Sequence, residues 1–113
     1  MTRINTPYDN NEFSRNDWDN RKETEILSVL INGEFKTVVF VKMAGRCFIV
    51  IGDTDAYTAA MYWNSYSVNG LTLIRSNEEW YETTKEEGNA IYAKIMATEK
   101  MSKKGRPYYR YAM

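Results

Sequence analysis

Two apolar, β-branched runs joined by one short turn constrain this chain more than any other feature. They are Phe35 to Met43 (F-K-T-V-V-F-V-K-M) and Cys47 to Ile51 (C-F-I-V-I), linked by Ala44-Gly45-Arg46. β-branched and aromatic side chains fit the pleated surface of a sheet, so both runs predict strands. The second run is apolar at every position, which predicts burial on both faces and an interior place in the sheet. Upstream, Glu25 to Ile31 (E-I-L-S-V-L-I) predicts another strand. Asn32-Gly33 follows it, the strongest short hairpin signal. Together these segments predict a three-stranded antiparallel meander.

Gly52-Asp53-Thr54-Asp55 then breaks the β pattern, and Asp53 or Thr54 suits a helix N-cap. Ala56, Ala59, Ala60 and Trp63 recur at helical spacing, predicting a helix over 54–65. Asn69-Gly70 marks a turn, and Leu71 to Arg75 predicts a fourth strand. Ser76 and Glu79 have capping-box spacing, which predicts a second helix with Trp80 on its inward face and Gly88 at its end. Beyond Gly88 the good helix formers of Ala90 to Met101 compete with the alternation of Ile91, Ala93, Ile95 and Ala97. The alternation predicts a hairpin, turning over residues 102–107 into a strand from Tyr108 to Ala112. The expected fold class is α+β: a three-stranded antiparallel meander followed by α-β-α-β-β, a mixed sheet with two helices packed on it.

A length of 113 residues suits one domain. Residues 1–22, rich in Asn and Asp, predict a polar, flexible N-terminal arm, and 23–113 the α+β domain with a basic C-terminal hairpin. Phe13 and Trp18 are the arm's exceptions, expected to dock it on the core.

The chain has no His and one Cys. That excludes a His-based triad, an intrachain disulfide and a Cys-rich zinc site. Neither a phosphate-binding loop nor a dinucleotide-binding glycine motif occurs. Asp53 and Asp55 form an acidic pair suited to helix capping or to a Mg²⁺ site, and capping is the expected role. No catalytic residues, no metal and no cofactor are expected, hence no enzyme. There is no run of about 20 apolar residues and no signal-peptide pattern. With Cys47 in an apolar strand, read as a buried thiol, this predicts a cytoplasmic protein and no membrane partner.

The 15 basic and 15 acidic residues cancel, but not locally. Residues 1–93 hold 9 basic and 14 acidic residues; residues 94–113 hold 6 basic residues against Glu99 alone. The basic part carries Lys94, Lys100, Lys103, Lys104, Arg106 and Arg110, interleaved with Tyr108, Tyr109 and Tyr111. Cations neutralise phosphates, and aromatic faces stack on unpaired bases. Lys94, Lys100, Lys103, Lys104, Arg106, Tyr108, Tyr109 and Arg110 are therefore the candidate nucleic-acid-binding residues. The competing reading is a solvated edge whose lysines prevent aggregation.

One stretch carries a family pattern. Val39-Phe40-Val41-Lys42-Met43, Gly45, Phe48, Gly52, Asp55-Ala56 with Ala59-Ala60, and Leu71-Thr72-Leu73 follow one another as strand, turn, strand, helix and short strand. This run resembles the N-terminal, mismatch-recognition domain of MutS proteins, and Trp80 to Ile95 around Gly88 resembles that domain's later helix, Gly and strand. The resemblance implies an α+β fold and a DNA-related role. It lacks the family's Phe-x-Glu reading motif, since Cys47 and Ile49 stand at those positions. A Cys has no ring to wedge beside a base and an Ile accepts no hydrogen bond from one, so mismatch reading is not expected.

The resulting expectation is a small non-catalytic nucleic-acid-binding module, DNA in preference to RNA. The alternative is a small protein-binding inhibitor or adaptor with a host protein as partner, of the kind phages encode. The chain's aromatic and Met content suits such an interface. A strand from Tyr108 to Ala112 left at a sheet edge offers a route to a dimer.

Overall fold

The central hairpins form where the turn residues demand them. In the computed structural model, which describes residues 1–5, 13–53 and 78–113, Asn32 and Gly33 have φ of 51° and 85°. Positive φ at both turn positions is the backbone that a two-residue hairpin between right-twisted strands requires. Strand β3 (Leu27–Ile31) thereby folds back on β4 (Glu34–Met43), with Ile31 opposite Glu34. Ala44 and Gly45 repeat the geometry, at 53° and 73°, between β4 and β5 (Arg46–Gly52). An alanine Cβ crowds the following carbonyl in this left-handed region, at a cost of about 1–2 kcal/mol. Ala44→Asn, which tolerates that conformation, is expected to stabilise the protein by about 1 kcal/mol, read as a higher urea midpoint with an unchanged slope.

The fold is α+β with a mixed sheet. Three further short elements precede the meander and one strand precedes the longer helix: β1 (Thr2–Ile4), α1 (Arg15–Asp19) and β2 (Lys22–Glu23), then β6 (Glu79–Thr83). Helix α2 (Lys85–Met96), β7 (Lys100–Met101) and β8 (Pro107–Tyr111) complete the chain. The sheet runs β1-β6-β5-β4-β3-β8-β7, with β2 also paired to β4. β3 and β8 are parallel; the other pairs are antiparallel. β2 and β3 share one edge of β4, and Thr24 bridges the interruption. Its backbone N–H donates to the Phe40 carbonyl at 3.0 Å, and its Oγ1 accepts from the Phe40 N–H at 3.2 Å.

Alternation along β4 and β5 makes two cores. On the arm face Val39, Val41, Met43, Phe48, Val50 and Trp80 pack with Phe13, and Trp18 lies against them. On the helix face Val38, Phe40, Ile49 and Ile51 meet Ile91 and Ile95 of α2 and Tyr109 of β8. β5 is thus interior to the sheet and buried on both faces from Phe48 onward, as its apolarity predicts, while Cys47, expected to be buried, is half-buried. Phe13 and Trp18 dock the polar arm. Ser14 caps α1 reciprocally with Asp17, which orients Trp18 edge-on to Trp80 at 6.3 Å. Arg46 closes this cluster, its guanidinium 5.2 Å from the Phe13 ring centre and 5.0 Å from that of Phe48. It donates twice to Glu82, at 2.8 Å each, and this hydrogen bonding holds the Glu82 carboxyl below its usual range.

The C-terminal elements differ from the sequence expectation. Glu79 to Thr83 is a strand, where Ser76–Glu79 predicted a helix through Gly88. β5 needs a partner on its open edge, and Trp80, Tyr81 and Thr83 are good strand residues, so pairing overrides the local cap signal. The helix begins after Thr84, whose Oγ1 accepts from the Glu87 N–H at 3.1 Å. Gly88 lies buried in the first half of α2, where an added Cβ would come 3.2 Å from Thr83 Cγ2. Its role is close approach to β6, not helix termination. Ala90 to Met96 is helical, because Ile91 and Ile95, four residues apart, stack on one face and bury against the sheet. The predicted hairpin survives as one short rung, Lys100–Met101 with Tyr108–Pro107. β8 is no free edge: it pairs with β3, and Thr98 Oγ1 accepts from the Arg110 N–H at 2.8 Å. The helix expected over 54–65, the strand Leu71 to Arg75, the Ser76 cap and most of the MutS-like run beyond Asp53 lie outside the described residues.

Candidate nucleic-acid interface

β8 places its side chains alternately on the two faces of the sheet. Val29 pairs with Tyr109, and Val29 belongs to the helix-face core. Tyr109 therefore points at α2 and is 3% exposed, its hydroxyl donating to Glu99 at 3.0 Å. Burial and that hydrogen bond push the Tyr109 hydroxyl up to about 12. This corrects its expected role: Tyr109 is a core residue, and no base can stack on it.

Tyr108 and Arg110 emerge on the arm face. The Tyr108 ring meets Phe35 edge-on, with centroids 5.7 Å apart and planes at 81°. Phe35 is 58% exposed and pairs with Leu30 of β3, two residues before the β5 pairing of β4 begins at Thr37. Leu30 pairs with both Phe35 and Arg110, so the three side chains form one row across β4, β3 and β8. Lys100 pairs with Tyr108 and shares its face. Phe35 was not among the residues singled out from the sequence. No local pattern marks it, because on β4 it shares the phase of the buried Val39, Val41 and Met43.

The loop between β7 and β8 is compact. The Ser102 N–H donates to the Arg106 carbonyl at 2.8 Å, and Ser102 Oγ accepts from the Arg106 N–H at 3.1 Å. Gly105, at φ 75°, makes the reversal. Lys103, Lys104 and Arg106 are exposed in this loop, which leads into β8 just before Tyr108. Lys94 is not brought to this surface. It lies in the last turn of α2, on the opposite side of the sheet, where a cation complements the helix dipole.

The exposed Phe35 and half-buried Tyr108 share a sheet face with Lys100 and Arg110, an arrangement compatible with stacking beside phosphate contacts. The rings offer stacking faces to unpaired bases while Lys and Arg meet phosphates. Among the described residues no group of three or more acidic or Cys side chains converges as a metal site, and Asp53 is bonded to Lys36. Among the same residues no helix is long and apolar enough to cross a membrane.

The Tyr109 titration gives a separate prediction. A group whose folded value is raised contributes stability that is whole below its ordinary value of 10 and is lost as pH rises towards about 12. The stability difference between the native chain and Tyr109→Phe is therefore expected to shrink between pH 10 and about 12, measured by urea unfolding across that range.

No protein-family model matches this chain, and no curated protein or solved structure matches it.

Proposed function

We propose that this chain is a small, non-catalytic module that binds single-stranded nucleic acid through the arm face of β4, β3, β8 and β7. The observation that carries the reading is the exposed Phe35 ring against the half-buried Tyr108, with Lys100 and Arg110 on the same face. Tyr108 and Phe35 stack on bases; Lys100, Lys103, Lys104, Arg106 and Arg110 meet the phosphates. Single strands are favoured over duplex because the aromatic faces reach only unpaired bases. DNA is favoured over RNA by the resemblance to the MutS N-terminal domain. The module works in the cytoplasm, and β8 is not the free edge that a dimer through this strand would need, since it pairs with β3 and Thr98 accepts from its Arg110 N–H. It does not read mismatches as that family does: Ile49 is buried, and Cys47 lies on the helix face of the sheet.

Salt tests the reading directly. Five cations on the phosphates of a single strand correspond to a slope of about −3.5 in log K against log salt. Affinity for an oligothymidine is then expected to fall by about 100-fold between 50 and 200 mM salt, measured by fluorescence anisotropy. Absence of binding to any single- or double-stranded probe at low salt would overturn the proposal. A partner captured from lysate after nuclease treatment, through Phe35, would favour the protein-binding alternative.

A further inference from the structure

On the other face of the sheet, a cavity of about 350 Å³ opens between the first half of α2 and strands β2, β4 and β5. Its apolar wall includes Phe40 and Tyr92, whose rings meet edge-on at 5.2 Å. Cys47 lines it from β5, and Lys22, Lys42 and Lys85 stand around it. The register explains this convergence. Lys22 pairs with Lys42, and Lys42 with Cys47, so the three side chains share one face on adjacent strands.

Two lysines placed directly opposite each other repel, and sheets avoid such pairs unless something compensates. Two carboxylates, Glu23 in the lining and Glu87 on α2, are engaged with other cations. Glu23 is bonded to Arg21 at 2.9 Å, and Glu87 to the amino group of Met1 at 2.6 Å. Among the described residues, the side-chain amines of Lys22, Lys42 and Lys85 have no ion-pair or hydrogen-bond partner. An apolar cavity of this size with a ring of unneutralised cations matches the general form of a small-molecule site.

From this geometry we infer that the cavity binds a small organic anion with an aromatic or acyl body. The apolar part lies against Phe40 and Tyr92, and the anionic head sits among Lys22, Lys42 and Lys85. The site is on the opposite face from the nucleic-acid surface and does not depend on it.

Naphthalene-2-sulfonate is a suitable probe, and Cys47, the chain's one cysteine, is a built-in reporter. Calorimetric titration is expected to give a single saturable site, and the bound sulfonate is expected to slow iodoacetamide alkylation of Cys47, followed by intact mass. In Lys22→Gln/Lys42→Gln, changed only at exposed positions, the dissociation constant should rise by about fivefold or more, from about 1 kcal/mol lost with the lysines. Neutral naphthalene-2-sulfonamide should bind more weakly by a similar factor. The inference fails if the sulfonate does not bind, if the amide or the double variant binds as well, or if native Cys47 is neither alkylated nor protected. Oligothymidine binding should be the same in the double variant and the native chain, so each of the two sites can fail alone.

Discussion

Phe35→Ala and Tyr108→Ala are each expected to weaken oligothymidine binding by about 1–3 kcal/mol, roughly 5- to 150-fold. Each substitution removes one stacking face while leaving the cations in place. The salt slope should therefore stay near that of the native chain, because counterion release depends on charge and not on stacking. Phe35 is 58% exposed, so its removal costs the fold little, and an unchanged urea midpoint would confirm that the loss lies in binding. Met101→Ala is the matched control. Met101 is 61% exposed but pairs with Pro107, one position out of phase with Tyr108, so its side chain leaves the stacking surface. Native-like affinity in both aromatic variants would remove the sheet face as the binding surface. Lys103→Gln and Lys104→Gln should do the converse, lowering the slope while sparing the stacking contribution.

Trp80→Ala is expected to destabilise the protein by about 3–5 kcal/mol, a large share of the roughly 5–15 kcal/mol that holds a domain together. Trp80 is 0% exposed and touches Phe48 at 5.5 Å and Trp18 at 6.3 Å between ring centres. Its loss opens a cavity at the point where the arm, β5 and β6 meet. Partial collapse cannot refill that space, since β6 is held by its pairing to β1 on one side and β5 on the other. Urea unfolding followed by far-UV circular dichroism would read the change. A cost under about 1 kcal/mol would contradict the placement of Trp80 on an interior strand, because exposed positions respond on that scale. Trp18→Ala, which removes a half-buried ring from the same cluster, should cost less than Trp80→Ala.

Much of the sheet was legible because short-range chemistry and burial agreed there. Asn32-Gly33 and Ala44-Gly45 admit the positive φ of a tight hairpin, and the runs beside them are β-branched on both faces. The misreadings fall where two local signals competed. Ser76–Glu79 and Thr84–Glu87 both have cap spacing, and nothing in either tetrad says which one caps a helix. The open edge of β5 decides it, by taking Glu79 to Thr83 as a strand. In the same way Ile91 and Ile95 fit a strand as alternating residues and a helix as i, i+4 neighbours. The face that the sheet offers for covering selects the helix.

The candidate surface divides along the same line. By itself the sequence determined the composition of the basic C-terminal segment, the lack of His and the two hairpin turns, because these depend on residue identity and on neighbours one or two positions away. Only the tertiary structure decided that Tyr108 is outside and Tyr109 inside, since the parallel pairing of β8 with β3 sets which phase of the alternation meets α2. It also brought Phe35, 73 residues upstream, against Tyr108, a contact created by strand order in the sheet that no local pattern encodes.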